Sequence, residues 1–352
     1  MNSLQVGKLP STLLNKFLGK IKIEDKRVLL GSAIGEDAAV IKLGHKRLVV
    51  KTDPVTFATD LIGWYAVNVN ANDIATIGVK PNWFLATILL PQQVTSEEAE
   101  KIFDQILSAC NALGVALVGG HTEITYELKR PVVVGCMLAE AEGKPFIRTS
   151  GARPGDDIVI TKGIAIEGTA LLARDAEQIL RSARLDPGLI HCAARYLFSP
   201  GISVLKEALI AANTVKVNSM HDPTEGGLAV GLWEIATAAR VGIRVAENKI
   251  PVLAECKIIC DRLRINPIGL LASGALIITL PPSETTRLLS ALAEADIIAQ
   301  VIGKVVEPEA GLKMQNGEEL KPFPQFKRDE LARFLESRAK KTSGSDLESG
   351  LT

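Results

Sequence analysis

The stretch that most constrains this chain is DLIGWYAVNVNANDIATIG, Asp60 to Gly78. It is long and apolar, opens on Asp and closes on Gly, which predicts a buried helix with a defined start and stop. Yet it carries Asn68, Asn70, Asn72 and Asp73. Asn68 and Asn72 are four apart and share one helix face, with Asp73 on a neighbouring face. Polar groups in a buried helix must find partners. These side chains either hydrogen-bond to neighbouring loops or line a site.

A chain of 352 residues exceeds what one hydrophobic core usually serves, so two domains are expected. Hydrophobic residues at 47% and charged residues at 23% fit a soluble globular enzyme. The formal net charge of zero and an aromatic content of 4% argue against a nucleic-acid surface, whether electrostatic or built on base stacking. The five cysteines include no C-x-x-C, and Cys256 and Cys260 read as small buried side chains on a helix face. An odd count without framework spacing suggests a reducing compartment, hence a cytoplasmic protein. The opening MNSLQVGKLPSTLL lacks the apolar core of a signal peptide. The longest apolar run, IGLLASGALIITL, is too short to span a membrane and ends in Pro281-Pro282. It reads as a loop plus a buried strand, and no membrane association is expected.

In the first half, Ser11 to Ile21 predicts an amphipathic helix and residues 38–43 and 47–52 predict strands. The Asp60–Gly78 helix follows, then the strand NWFLATILLP. TSEEAEKIFDQILSACNALG is a helix with a Thr95…Glu98 capping box and a Gly114 stop. The strands VALVGG and RPVVVGCMLAEA close the half. The order ββαβαββ lacks the strict alternation of a doubly wound sheet, so the expected class is α+β. A turn-rich stretch places a boundary near Ser150, giving domains over 1–150 and 151–320. Helices are expected at about 167–185, 201–213, 226–240, 252–263 and 284–296. Residues 321–352 are expected to form a C-terminal helix and a disordered tail, KKTSGSDLESGLT. No G-x-G-x-x-G or G-x-x-x-x-G-K-[ST] is present.

Polar clusters interrupt the apolar pattern. GEDAAV places Glu36 and Asp37 before a strand, and KTDPVTF places Asp53 at a strand end. If Asp37, Asp53 and Asp73 converge, they repel one another unless cations neutralise them. Hard oxygen ligands suit Mg²⁺, which typically also binds substrate phosphates. In ALVGGHTEIT, a Gly119–Gly120 turn could offer backbone N–H groups to the same phosphates. In HDPTEGGLAVGLWEIA, Asp222-Pro223-Thr224 forms a turn and Gly226-Gly227 opens a helix. Such a helix start is either an anion site or an ordinary capped terminus.

In this order and separation, GEDAAV, TDP, NANDIATIGVKP, GGHTE and DPTEGGL resemble the aminoimidazole ribonucleotide (AIR) synthase-related superfamily. The resemblance covers about residues 25–310 and is nearest to the hydrogenase-maturation (HypE) branch. It implies a two-domain PurM-like α+β fold and a homodimer whose N-terminal sheets join into a barrel. It also implies ATP- and Mg²⁺-dependent chemistry that activates an oxygen of a small-molecule substrate. On this resemblance, Asp37, Asp53 and Asp73 hold Mg²⁺, and Asp37, Asn72, Gly119, Gly120, Asp222, Gly226 and Gly227 surround the nucleotide. Two features depart from the family. His121 stands where an acid usually follows the glycine pair, so either Glu123 takes over the metal, the site binds fewer metals, His121 faces substrate as an acid–base group, or His121 makes a structural hydrogen bond across the loop. The last cysteine is Cys260, whereas the hydrogenase factor carries its carbamoyl group on a terminal cysteine. A different substrate is therefore expected. The alternatives are a small-molecule kinase of the thiamine-monophosphate kinase type and a nucleotide-binding regulator weakened by His121.

Overall fold

A computed structural model of the chain describes residues 8–337, apart from 57, 59 and 144. The polar tail expected over 340–352 lies outside these residues. The first half runs α1 (Ser11–Leu18), β1 (Val28–Leu30), β2 (Ala39–Leu43), β3 (Lys46–Val55) and α2 (Ile62–Thr76). It continues through β4 (Trp83–Pro91), α3 (Ser96–Leu113), β5 (Ala116–Thr125) and β6 (Val132–Glu142). These strands form one sheet in the order β1-β2-β3-β6-β4-β5. Every pairing is antiparallel except β4 with β5, which α3 connects as a crossover.

The second half begins with β7 (Asp157–Thr161), α4 (Ile166–Asp175), α5 (Glu177–Ser182), α6 (Pro187–Ala194) and α7 (Leu205–Thr214). Next come β8 (Ser219–His221), α8 (Gly227–Ala239), β9 (Gly242–Ala246), α9 (Ala254–Leu263) and β10 (Ile277–Leu280). It closes with α10 (Pro282–Glu294), β11 (Ala299–Val306), β12 (Leu312–Asn316) and β13 (Glu319–Pro322). Its sheet has the order β13-β12-β9-β11-β7-β10-β8. Residues 330–337 are helical. Mixed, largely antiparallel sheets with helices packed on them make the fold α+β.

Helix α3 keeps both predicted ends. The Thr95 side chain accepts from Glu98 N, Glu98 reaches back to Thr95 N, and Gly114 closes the helix at φ 64°. Its buried residues Ile102, Ile106, Ala109 and Cys110 lie along one stripe. The predicted start of α2 is different. Leu61, not Asp60, is the cap residue, in the left-handed conformation and without a side-chain cap. Asp60 pairs with Arg174. The Gln105 amide of α3 accepts from Gly63 N at 3.1 Å and satisfies one of the free donors of the first turn. The helix expected over 167–185 breaks into α4 and α5, and α6 was missed. Its signal was present: Asp186 caps Leu189 N and Pro187 fills the first turn.

Helix α2 is buried along nearly all its length and belongs to both halves. Ala66, Val67, Ala71 and Ile74 pack into the core of the first sheet. Tyr65 and Ala75 pack into the cores of the second half. Its asparagines are spent on this placement. Asn68 Nδ2 donates to Trp64 O. Asn70 accepts from Asp53 N at 2.9 Å and donates to Ala66 O and Asp53 O, which pins β3. Asn72 donates to Ile202 O at 2.8 Å and accepts from Val204 N at 2.9 Å, which pins the second half. Glu36 adds a second tie by accepting from Thr149 N and Ser150 N, both at 3.2 Å.

The stretch Gly119–Thr125 continues β5 as a strand, rather than turning as the glycine pair suggested. Gly120 sits at φ 150°, and a Cβ there would lie 1.9 Å from Ala86 O. Gly120 therefore serves the close β4–β5 pairing. The Gly226–Gly227 helix start is likewise closed. Gly226 N donates to Asp329 Oδ2 at 2.7 Å, Gly227 N bonds to Thr224 O, and a Cβ on Gly227 would meet Leu270 O at 2.6 Å. The anion at this terminus is the chain's own carboxylate.

Two predictions follow from the packing. A Cβ on Gly135 would lie 2.3 Å from Asn70 Nδ2 and 2.7 Å from Phe84. Gly135→Ala should therefore cost about 3 kcal/mol in urea unfolding. In an Asn70→Ala background the same change should cost clearly less, because the pair is in contact. The second concerns pH. Burial raises Glu167 to about 7, reinforced by Asp329 and Glu225, and burial likewise raises Asp329 to about 7. A carboxyl raised above its unfolded value stabilises the fold while protonated and loses that contribution as pH rises through the folded value. The melting temperature should fall from about pH 5 to about pH 8, and Glu167→Gln should flatten the slope.

Candidate active site

Three elements meet where the halves touch. The loop before β2 brings Asp37, the last turn of α2 brings Asp73, and the turn after β8 brings Asp222. One carboxylate oxygen from each lies within 4.8 Å of the others. The three residues come from distant parts of the chain, and two of them are almost wholly enclosed: Asp73 is 4% exposed and Asp222 2%. Neither oxygen of Asp222 has a hydrogen-bond partner. Buried carboxylates left unpaired are costly, whereas three convergent carboxylates provide the oxygen donors that a hard divalent cation takes. The donor set fits Mg²⁺.

Basic groups flank the carboxylates. Lys51 lies two residues before Asp53 on β3, hence on the same face of the sheet. Its Nζ is 3.2 Å from Asp53 Oδ2 and 3.1 Å from Asp73 Oδ2. On the other side, His221 stands between two acids, with Nδ1 3.0 Å from Asp37 Oδ2 and Nε2 3.0 Å from Glu234 Oε2. Lys8 completes this arm, 2.7 Å from Glu234 Oε1. An imidazole facing carboxylates through both nitrogens can donate to both only as the imidazolium.

The electrostatics follow from burial set against these pairs. Burial pulls the His221 pKa down, but Asp37 and Glu234 outweigh it and hold it well above the ordinary imidazole value. Burial favours protonated Glu234, but His221 and Lys8 overcome it and bring it to about 2. Asp73 is pushed up to about 8 by burial against the opposing charge of Lys51, with Asp53 and Asp37 reinforcing the rise. Asp222 is raised well above the carboxylate range by burial and then by Asp73 and Asp37. Without further positive charge the cluster holds protons that a divalent cation would displace.

The sequence-predicted residues divide into three groups. Asp37 and Asp73 come together, joined by Asp222, which the resemblance placed with the nucleotide. Asp53 is in the interior of β3, not at its end, and reaches the cluster through Lys51. Asn72 is committed to Ile202 and Val204, and Gly226 and Gly227 to Asp329 and Thr224, so their polar groups are already used. Gly119, Gly120, His121 and Glu123 are elsewhere: β5 is three strand spacings from β3, about 14 Å. His121 Nε2 lies 3.2 Å from Glu123 Oε2 on the exposed face of this edge strand. Gly119, Gly120 and His121 line a separate cavity of about 320 Å³ with Ile88, Phe103 and Leu117. Within one chain, neither the glycine pair nor His121 joins the acidic cluster.

Lys8, Lys51, His221 and Glu234 were not found from the sequence. Two were within reach. Strand alternation places Lys51 on the face of Asp53, and His221 is the neighbour of Asp222. The pairing of Lys8 with Glu234 spans 226 positions and leaves no local pattern.

Comparison with known proteins agrees with this architecture. The model of the AIR synthase related protein N-terminal domain matches residues 35–141, and that of the C-terminal domain matches residues 153–314. A putative hydrogenase expression/formation protein of Methanocaldococcus jannaschii is 27% identical over 285 residues, 79% of this chain and 81% of that one. The carbamoyl dehydratase HypE of Rhizobium leguminosarum bv. viciae is 27% identical over 281 residues, covering 76% and 77%. The crystal structure of the hydrogenase maturation protein HypE in complex with ATP superposes with a TM-score of 0.70 at 20% identity, over 93% of this chain and 98% of that one. With both of its halves matched in order, the chain belongs to the AIR synthase-related proteins.

Proposed function

We propose that this chain is an ATP- and Mg²⁺-dependent enzyme that activates an oxygen of a small-molecule substrate by phosphoryl transfer. The observation that carries the reading is the buried trio Asp37, Asp73 and Asp222, with both Asp222 oxygens unpartnered. The ATP-bound relative of the same fold supports the choice of nucleotide. Asp37, Asp73 and Asp222 hold the divalent cation. When bound, that cation screens the phosphate oxygens and the charge that builds up on them during transfer.

The remaining work belongs to the chain's own residues. His221, gripped by Glu234, holds the Asp37 carboxylate in position through Nδ1. Lys51 keeps Asp73 and Asp53 from repelling one another. Asn70 fixes the β3 backbone at Asp53. The burial of His221, Asp73 and Asp222 strengthens their interactions relative to water.

The family resemblance also carries a homodimer, and β5 supplies its edge. Among the described residues β5 pairs only with β4. Val118, Ile124 and Tyr126 are 54%, 63% and 80% exposed. An open edge strand with apolar side chains is a template for pairing. A second copy at this edge would also cover His121 and Glu123.

Three outcomes are expected. In a thermal-shift assay, Mg²⁺ and ATP together should raise the melting temperature of the wild type by mass action. Asp222→Asn or Asp73→Asn should weaken the Mg²⁺-dependent part by about tenfold or more in apparent affinity; an unchanged shift in both variants removes the site. Product analysis should give ADP and phosphate with a dehydrated or aminated product, whereas a stable phosphorylated product makes the chain a kinase. Ile124→Lys should convert a dimer to a monomer in light scattering while the monomer stays folded by circular dichroism.

A further inference from the structure

The acidic site is not uniform. Five carboxylates form one connected chain of contacts: Glu234, Asp37, Asp222, Asp73 and Asp53. Three basic groups are set among them: Lys8, His221 and Lys51. If every group carries its charge, the set is left with two negative charges, which one divalent cation neutralises and two would overshoot.

Geometry assigns the positions. On the Asp37 side, His221 Nδ1 lies 3.0 Å from Asp37 Oδ2, while one oxygen from each of Asp37, Asp73 and Asp222 lies within 4.8 Å of the others, with no basic group among the described residues 4.0 Å or less from Asp222. On the Asp53 side, the Lys51 ammonium already stands between two carboxylates, 3.2 Å from Asp53 and 3.1 Å from Asp73. The Lys51 side chain is 19% exposed and the Asp73 side chain 5%, so this ammonium is held by the fold. A cation bridging Asp53 and Asp73 would need the place that Nζ holds, and would meet its positive charge at close range.

We propose that Lys51 is a resident cation that closes the Asp53 side of the site and limits the chain to one divalent ion. Asp53 is then the partner of Lys51 and not a metal ligand, and Asp73 is shared between the fixed ammonium and the exchangeable ion. The inference rests on the reading of Asp37, Asp73 and Asp222 as cation ligands, and it sets the number of ions that reading allows. It turns a lysine outside the predicted ligand set into the residue that determines metal stoichiometry.

The test counts ions, independently of turnover. Mn²⁺ alone is titrated into the full chain, with free Mn²⁺ followed by electron paramagnetic resonance and heats by calorimetry. The wild type should saturate at one Mn²⁺ per chain. Lys51→Met should take up two, and adding Asp53→Asn should return the count to one. Lys51→Arg should stay at one. Two ions in the wild type, or one in a folded Lys51→Met, overturn the assignment and leave the trio standing. No Mn²⁺ binding in the wild type overturns the trio and the assignment with it. Should Lys51→Met fail to fold, Asp53→Asn alone decides. Mn²⁺ affinity within about threefold of wild type supports the proposal, and a loss of tenfold or more makes Asp53 a ligand and overturns it.

Discussion

Helix α2 sets the terms for the rest of the molecule, because a fully enclosed helix cannot leave polar side chains unanswered. Each of its asparagines is satisfied by a different part of the structure: Asn68 by its own helix, Asn70 by β3, and Asn72 by the 202–204 segment of the second half. The hydrogen bonds that remove the cost of burial therefore also fix the relative position of the two sheets. Asp73 is the residue left over. It takes part in no backbone clamp of this kind through its side chain, and it emerges where Asp37 and Asp222 arrive from either half.

The site shows the opposite electrostatic bias to its surroundings. Several buried acids elsewhere have partners of their own, such as Asp157 with Lys304 and Thr285 or Glu207 with Lys162. Around Asp222 the compensation stops short, and both oxygens stay bare. A buried carboxylate with neither oxygen partnered, set within 4.8 Å of two other acids, marks a place kept for a positive ligand. The His221–Glu234–Lys8 arm holds one wall of that place rigid, since each member is tied on two sides or anchored to a buried neighbour.

Much of this was legible in the chain itself. The α+β class, the capped helix α3 and the buried course of α2 follow from local patterns that tertiary contacts did not override. Asp37 and Asp73 stood out because carboxylates beside apolar elements are expensive. The errors share a cause. Gly119–Gly120 was expected to turn near phosphate, and Gly226–Gly227 to open either an anion seat or an ordinary capped helix, because glycine marks close approach without saying what approaches. In both cases the neighbour is the protein's own backbone, Ala86 in one and Leu270 in the other. Asn72 could be read either way from the sequence, since a ligand amide and an interdomain clamp look identical in one dimension. His121 carries an ion pair with Glu123 on an outer strand, a placement that depends on the order of strands in the sheet and not on spacing.

A helix that contributes side chains to both cores also removes the hinge between them. Rotating one half against the other would tear Asn72 from Ile202 and Val204, pull Glu36 from Thr149 and Ser150, and expose Tyr65 and Ala75 together. Access to the acidic cluster therefore does not come from parting the halves. The contact of Lys8 with Glu234 adds a further tie between the start of the described chain and the second half, so the acids of the cluster are held at fixed separations.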